Sequence, residues 1–511
     1  MVLTVIGLAA GHEKGVLVLA GVLGLSAVIA LLLAPAWVSL SALLVTVILF
    51  EANPQGFLSV TSHFYTAGGK VGLPFVFFLL VVAALLFDLV RTGEPFRLPG
   101  PLTYPLLFLL GALLIGVVNG KESGAGRGAM ISQIETLLML GVMPFVVVNA
   151  LRTRTAVRNF ALVAAGLAVF KGFEGTIGWL MGQGMSFGNT TLTYIEPTAN
   201  WLMLLLLLTI AVAVIHRVPT SAWVRWGSLF AFAALILSFR RSFWIGAILG
   251  FVLILLLATG RRGGRVVLPG LIIFLIAFGA AYVVAGPTNS SNPVQARAKA
   301  LSPSQIQLNA DDRYRIEERR NVLKDLAQRP VYGLGIGVPW VAQRAVSIDF
   351  NGARQYVHFL PLWYWMKMGV FGLIAYAWLF GTALWLAFSL WKRHPDGLHR
   401  AIGLAGFAGF AGLMVVETTA SFTGVDTRFS IVVGAALGWL AAARATMNDP
   451  EPEKKVEDGL VQPILAGRRA MASGVAFARS HKAWRTPAVA GALVLGGAVA
   501  LVAAVVGVAG G

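Results

Sequence analysis

L-P-F-V-F-F-L-L-V-V-A-A-L-L-F-D-L-V, Leu73 to Val90, carries a single charge, Asp88, in eighteen residues. As an α-helix rising 1.5 Å per residue it is about 27 Å long, enough to cross the hydrocarbon of a bilayer. A membrane β-barrel would show alternating segments of about ten residues instead. Similar runs lie outward from it at 16–33, 36–50, 104–119, 131–150, 156–181, 198–215, 222–239, 243–259, 266–285, 369–391, 401–417, 429–446 and 486–509. The whole chain agrees. Of 511 residues, 57% are hydrophobic and 12% charged, against about 25% charged in soluble proteins, and the mean hydropathy is +0.79. The expected fold class is all-α, a polytopic transmembrane helical bundle of about 12–14 spans. The first run is followed by further spans, so it is read as structure rather than as a cleaved signal peptide.

Charge sets the orientation. The formal net charge is +18, which could suit nucleic acid. Much of the excess, however, is Arg and Lys in short loops, as the positive-inside rule requires, and no nucleic-acid partner is expected. The basic groups are Arg91 and Arg97; Arg152, Arg154 and Arg158; Arg217 and Arg225; Arg261, Arg262 and Arg265; and Lys392, Arg393 and Arg400. They fall at alternate span ends, so one topology puts all of them in the cytoplasm. Loops 51–72, 120–130, 182–197, 240–242, 286–368 and 418–428 then face outward. The uncharged joint Ala34-Pro35-Ala36 leaves the side of the N-terminus open. The polar stretch after Met447 is expected to be a cytoplasmic linker over 447–485, with 486–511 a further span beyond a transmembrane core of 1–446.

The longest outward loop, 286–368, is where chemistry is expected. It holds a charged helix, D-D-R-Y-R-I-E-E-R-R-N-V-L-K-D-L-A (Asp311 to Ala327), a turn R-P-V-Y-G-L-G-I-G (Arg329 to Gly337), and His358 ahead of an apolar helix that re-enters the membrane. Arg315 and Arg319 share a helix face at i,i+4. Glu318, three residues from Arg315, can neutralise it. Ile316, Leu323 and Ala327 form another stripe, which predicts a helix lying apolar side down on the membrane surface. His358 titrates near neutrality by type and suits proton removal from a hydroxyl, or it is a structural interface histidine. Arg240 and Arg241 sit in an outward turn. Their planar guanidiniums can clamp a phosphate, or snorkel to lipid headgroups. Glu51, Glu135, Lys171, Glu174 and Glu417 lie in or at the edges of spans, where ionisable groups usually face a polar cavity; Lys171 and Glu174 can also satisfy each other. Glu196, Asp426 and Arg428 line the outer loops.

Several chemistries are excluded by motif. There is no cysteine, hence no disulfide, thiolate metal site or Cys nucleophile. Walker A, H-E-x-x-H and G-x-S-x-G patterns are absent, which speaks against ATP-driven transport by this chain. No cofactor is expected.

Three motifs together resemble the O-antigen ligase/polymerase family of bacterial membrane glycosyltransferases. Arg240-Arg241-Ser242-Phe243-Trp244 resembles its Arg and aromatic opening of a helix. Arg315, Arg319, Val322, Leu323, Leu326, Pro330, Val331, Gly333 and Gly335 follow its Arg-to-P-L-x-G-x-G spacing. His358, Leu362, Gly369 and Gly372 follow its His and Gly-x-x-Gly approach to a span. The chain departs from the pattern at Arg319, where the family commonly has Trp, at Phe359 in place of Asn, and at Lys367 in place of Glu. The likeness covers about 200–445.

The resemblance implies a GT-C-like enzyme in the bacterial cytoplasmic membrane, with its active site facing the periplasm or exterior. The donor would be a glycan on polyprenyl (undecaprenyl) diphosphate, and the acceptor a lipid or glycan hydroxyl, in a bed of membrane lipid. Arg240, Arg241, Arg315 and Arg319 would bind the diphosphate, with Arg315 and His358 catalytic, His358 as general base. No metal would be needed, and the anomeric centre would invert. Ligase and repeat-unit polymerase differ in acceptor; transfer to protein hydroxyls is a third form. A lipid-linked glycan flippase remains the alternative, although cationic residues along a whole path and inverted repeats are not seen.

Overall fold

In the computed structural model the apolar runs among the described residues fold as helices, because with no water in the bilayer each backbone N–H and C=O must find its partner within the segment. The structure describes residues 26, 28–50, 72–181, 185–187, 190–192, 196–215, 222–238, 240–258, 310–343 and 353–448. All fall within the unit Met1–Asn448; the other unit is Asp449–Gly511. In chain order the helices are α1 (Ala36–Leu49), α2 (Leu73–Thr92), α3 (Thr103–Glu122, preceded by a 3-10 turn Gly100–Leu102), α4 (Arg127–Ala150), α5 (Arg154–Leu180), α6 (Glu196–Ile215), α7 (Ala222–Leu237), α8 (Arg241–Leu257), α9 (Ala310–Gln328), α10 (Leu360–Arg393), α11 (Gly397–Val416) and α12 (Thr427–Ala445). A small antiparallel hairpin, β1 (Met185–Phe187) with β2 (Thr190–Leu192), joins α5 to α6. Among the described residues seven helices are long and apolar enough to cross a membrane: α2, α3 with its preceding turn, α4, α5, α10, α11 and α12. α1, α6, α7 and α8 supply four shorter apolar helices. The chain is a multi-pass helical bundle. The expected spans 266–285 and 486–509, most of 16–33, Glu51, Arg217, Arg261, Arg262, Arg265 and the linker beyond Asn448 lie outside the described residues.

Helix ends are set by local chemistry. Gly93 closes α2 in the left-handed conformation at φ 67°. Thr153, Asp396 and Asp426 accept backbone N–H groups at the starts of α5, α11 and α12. Between helices, small residues let backbones touch, as membrane packing favours. A Cβ on Gly246 of α8 would lie 2.9 Å from the Gly412 carbonyl oxygen of α11, and one on Gly412 would lie 2.5 Å from that of Gly246.

One end of the bundle is fastened by arginines. The Arg97 guanidinium donates to Arg152 O at 3.1 Å, and its own N–H and C=O both bond the Asn149 side chain. Arg154 donates to Thr446 O and Met447 O at 3.1 and 2.6 Å, and Arg91 to Leu33 O at 3.2 Å.

At the other end the turn 329–337 is spliced into the helices. A span beginning at Gly369 was expected. The helix in fact begins at Leu360 and breaks at Gly369, whose φ of 65° and ψ of −159° are non-helical. The break leaves two hydrogen-bonding groups that an unbroken helix would have paired. Met366 O takes the Leu334 N–H at 2.7 Å, and the Val370 N–H donates to Val331 O at 3.0 Å. Ile336 N–H donates to Gly116 O of α3 at 2.9 Å, and Gly337 N–H to Gln133 Oε1 of α4 at 2.8 Å. At Gly335, φ is +106° and an added Cβ would lie 2.4 Å from Gly120 N, so only glycine fits. Lys367 is fully buried and donates to Val338 O at 2.6 Å. One of the three departures noted in the sequence thus holds the chain where it leaves this turn.

Candidate active site

α9 carries the charged sequence that suggested a surface helix, and its burial is the reverse of a simple amphipathic pattern. Ile316, Leu323 and Ala327 are exposed on the face left for lipid. The protein-facing stripe is Tyr314, Glu318, Asn321, Val322, Asp325 and Leu326, half of it polar. The cause is the returning chain, whose backbone N–H groups need acceptors once buried. Asp325 takes Val341 N–H at 2.7 Å and the Gln343 amide at 2.6 Å.

Glu318 takes His358. Its Oε2 accepts the His358 backbone N–H at 2.7 Å, and Nδ1 of the same ring lies 3.1 Å from Oε2 and 3.2 Å from Oε1. The imidazole side chain is 19% exposed and the carboxylate 0%, so a substrate can reach the histidine but not its partner. The rings of Tyr314 and Tyr356 stand edge-on to the imidazole, at centroid distances of 5.8 and 4.7 Å.

Arg319, the next residue along α9, donates to Thr418 O and lies 4.7 Å over the Phe359 ring. Burial pulls its guanidinium below the usual arginine value; Glu318 opposes this and Arg315 adds to it. Arg315, Glu318 and Arg319 are therefore one electrostatic group, and an arginine stays charged in it. Beside them runs an apolar groove of about 260 Å³, lined by Leu323, Phe359, Pro361, Leu362, Trp365 and Leu373, with Arg319 as its one charged lining residue. A more polar cleft of about 500 Å³ lies at the far end of α9, between Asn119, Ser123, Arg329 and Tyr332.

The segment 417–426 joins the motifs. Glu417 is buried and turned on its own loop, accepting the N–H groups of Phe422 and Thr423 at 2.9 and 3.0 Å and the Thr423 hydroxyl at 2.6 Å. Its carbonyl takes Leu360 N–H at 2.9 Å. Ser421 donates its N–H to the Tyr356 hydroxyl at 2.9 Å and its hydroxyl to Val357 O. Phe422 stacks on Phe243 at 6.1 Å and on Phe429 at 5.1 Å, which draws the start of α8 to the same loop. Arg240 caps that helix and Arg241 opens it, both half-buried. Helix N-termini carry partial positive charge, which favours anions.

The structure therefore places Arg315 and Arg319 beside Glu318, which holds His358, and brings Phe243, two residues after Arg241, onto Phe422 of the loop that carries Thr418 and Ser421. Two expectations change. Glu318, read from local spacing as a counter-ion of Arg315, holds His358. Glu417, expected to face a polar cavity, is satisfied within its own loop, whereas Lys171 and Glu174 satisfy each other, one of the two readings their spacing allowed. Glu135 accepts a weak bond from Gly72 N–H at 3.5 Å, Asp426 caps α12, and Arg428 is buried. No motif could have revealed the Glu318–His358 pair, since its partners are 40 residues apart. The usable signal was a carboxylate on the helix face opposite Ile316 and Leu323. Among the described residues no three His, Cys, Asp or Glu side chains cluster to hold a metal.

The family model described as O-antigen ligase matches residues 226–377. This stretch contains α8, α9, the spliced turn, His358 and the break at Gly369. The match supports assignment to the O-antigen ligase/polymerase family. No curated protein matches the chain.

Proposed function

We propose, from an O-antigen ligase domain at residues 226–377, that this membrane enzyme transfers a glycan from polyprenyl diphosphate, specifically undecaprenyl diphosphate, to a hydroxyl on a lipid or glycan acceptor. The observation that carries the proposal is a reachable histidine held by Glu318, with Arg319, the next residue of α9, lining an apolar groove beside it. The acceptor hydroxyl attacks the anomeric carbon as His358 takes its proton. The bond from that carbon to the diphosphate oxygen breaks, and the electron pair leaves with the polyprenyl diphosphate. Arg315, Arg319, Arg240 and Arg241 bind this diphosphate and stabilise the charge gathering on it. Attack opposite the leaving group inverts the anomeric centre. The diphosphate is already an activated leaving group, so the step calls for no metal. The groove beside Arg319 suits the first isoprene units of the donor.

In this proposal the site end of the bundle faces the exterior of the cytoplasmic membrane, since Arg91, Arg97, Arg152, Arg154, Lys392 and Arg393 gather at the opposite end. Residues 1–446 form the transferase core, 286–368 carry most of the site, 447–485 link on the cytoplasmic side, and 486–511 add a span.

Purified protein mixed with glycan-linked polyprenyl diphosphate and candidate acceptors, without nucleotide or metal, is expected to release polyprenyl diphosphate. A lengthened glycan makes the enzyme a polymerase; a glycosylated lipid makes it a ligase. Donor binding with no release under any acceptor would overturn transfer, and flipping in liposomes would then be measured.

A further inference from the structure

Glu318 is wholly buried, reaches no solvent, and spends both carboxylate oxygens on one residue. Burying a charged group is costly unless its hydrogen bonds are made, and here they are made to the backbone and ring of His358. An ionised carboxylate only accepts, so the ring nitrogen that faces it, Nδ1, must be the donor. A neutral imidazole with its proton on Nδ1 has its lone pair on Nε2. The bond from the His358 backbone N–H to the same Oε2 fixes the carboxylate, and the flanking Tyr314 and Tyr356 rings limit rotation of the imidazole.

We propose that Glu318 is the positioning residue of His358. It selects the Nδ1–H tautomer so that Nε2 is the basic nitrogen, and it stabilises the imidazolium that forms when Nε2 accepts a proton. This inference rests on the glycosyl-transfer reading above. In the step, the acceptor oxygen forms its bond to the anomeric carbon, its proton moves to Nε2, and the carbon–oxygen bond to diphosphate breaks with its electron pair on the leaving group. The imidazolium, paired with Glu318, then returns its proton to water. Arg315 and Arg319 lie beside Glu318 on the same helix, and the transfer reading assigns them to the diphosphate.

The informative variant is Glu318→Gln. Its carbonyl oxygen can still accept the His358 backbone N–H, which preserves the local fold. Its NH₂ group then faces Nδ1 and donates to it, which moves the ring proton to Nε2 and removes the base. The expected result is a fall in kcat of up to about 10⁴-fold, as when the buried aspartate that orients a triad histidine is replaced by its amide, with KM for the donor unchanged. In ¹⁵N spectra of the full-length protein carrying labelled histidine, with the His358 signals identified by their loss in His358→Asn, the wild type is expected to show protonated Nδ1, and Glu318→Gln protonated Nε2. A purely packing role would move neither the tautomer nor kcat alone. Near-normal turnover in Glu318→Gln, or an Nε2–H ring in the wild type, overturns the proposal. If Glu318→Gln fails to fold, the wild-type tautomer decides alone. If the wild type transfers no glycan, the transfer reading has failed, and the tautomer pair still decides whether Glu318 sets the histidine.

Discussion

The two ends of this bundle use charge in opposite ways. At the end held by Arg91, Arg97, Arg152 and Arg154, the guanidiniums donate to backbone carbonyls at the edges of helices. The acids there keep water: the side chains of Asp88, Glu94 and Asp396 are 21%, 47% and 25% exposed. At the end built around α9 and residues 417–426 two acids are hidden instead, Glu318 and Glu417, both 0% exposed. An arginine at a helix edge fastens the fold whatever it carries. A carboxylate in a dry site has to be matched donor by donor, and the match then dictates geometry. Glu417 shapes a loop in this way, and Glu318 a histidine.

The sharpest break of that comparison is to delete cations at both ends. His358→Ala, Arg315→Ala and Arg241→Ala are each expected to lower glycan transfer by about 10²- to 10³-fold or more while folded protein is recovered. Donor binding should survive in His358→Ala. Arg154→Ala should cost about 1–2 kcal/mol of stability through its two lost hydrogen bonds and leave turnover intact. Turnover assays and donor binding on the four variants check this. A normal rate in any of the first three removes that residue from the mechanism, and loss of transfer in Arg154→Ala would dissolve the distinction between the ends.

Within the site end, Glu417→Ala separates scaffold from chemistry. It strands the N–H groups of Phe422 and Thr423 and the Thr423 hydroxyl, each at about 1–3 kcal/mol when buried and unpaired. Thermal unfolding in detergent should therefore drop together with transfer, whereas Glu318→Gln should lose transfer with its unfolding curve in place.

The smallest effect lies at the fastening end. The His399 ring, whose Nδ1 lies 3.3 Å from Asp396 Oδ1, leads the causes that hold Asp396 well below the usual carboxylate range, and the Leu398 and His399 N–H groups add to it. Its folded pKa is below its unfolded one, so its contribution is complete above the ordinary carboxylate pKa of about 3.9 and is lost as pH falls through the lower folded value. Asp396→Ala should cost about 1 kcal/mol at neutral pH, as helix caps do. The gap between its melting temperature and that of the wild type should close below about pH 4.

The bundle was legible because a membrane demands a quantity the sequence displays directly, a length of apolar residues. The three motifs were legible as spacing. What the spacing hid was which group answers which. Glu318 lies one turn from Arg315 in sequence, and local rules pair them; the fold brings His358 from 40 residues away and gives it the carboxylate. Gly369 read as the start of a span because apolar residues continue from it, but its φ depends on the chain that crosses there, and Val331 and Leu334 come from another element. Arg240 and Arg241 read as a turn between two spans, and they lie between α7 and α8. The aromatic stack that draws them to the loop after α11 involves Phe422, which no motif singled out.

The turn spliced at Gly369 also imposes an order on biogenesis. Its N–H groups end on Gly116 of α3, Gln133 of α4 and Met366 of α10, and an extra methyl at Gly335 would collide with the backbone of Gly120. The slot it fills has no third wall until α10 arrives, and α10 is synthesised about 200 residues after α4. Ribosomes therefore release α3 and α4 into the membrane with one side unmade, and the histidine is set in place only when α10 closes over the turn. A chain truncated before α10 would keep every arginine of the site and the turn's bonds to α3 and α4, but lose its bonds to Met366 and Val370.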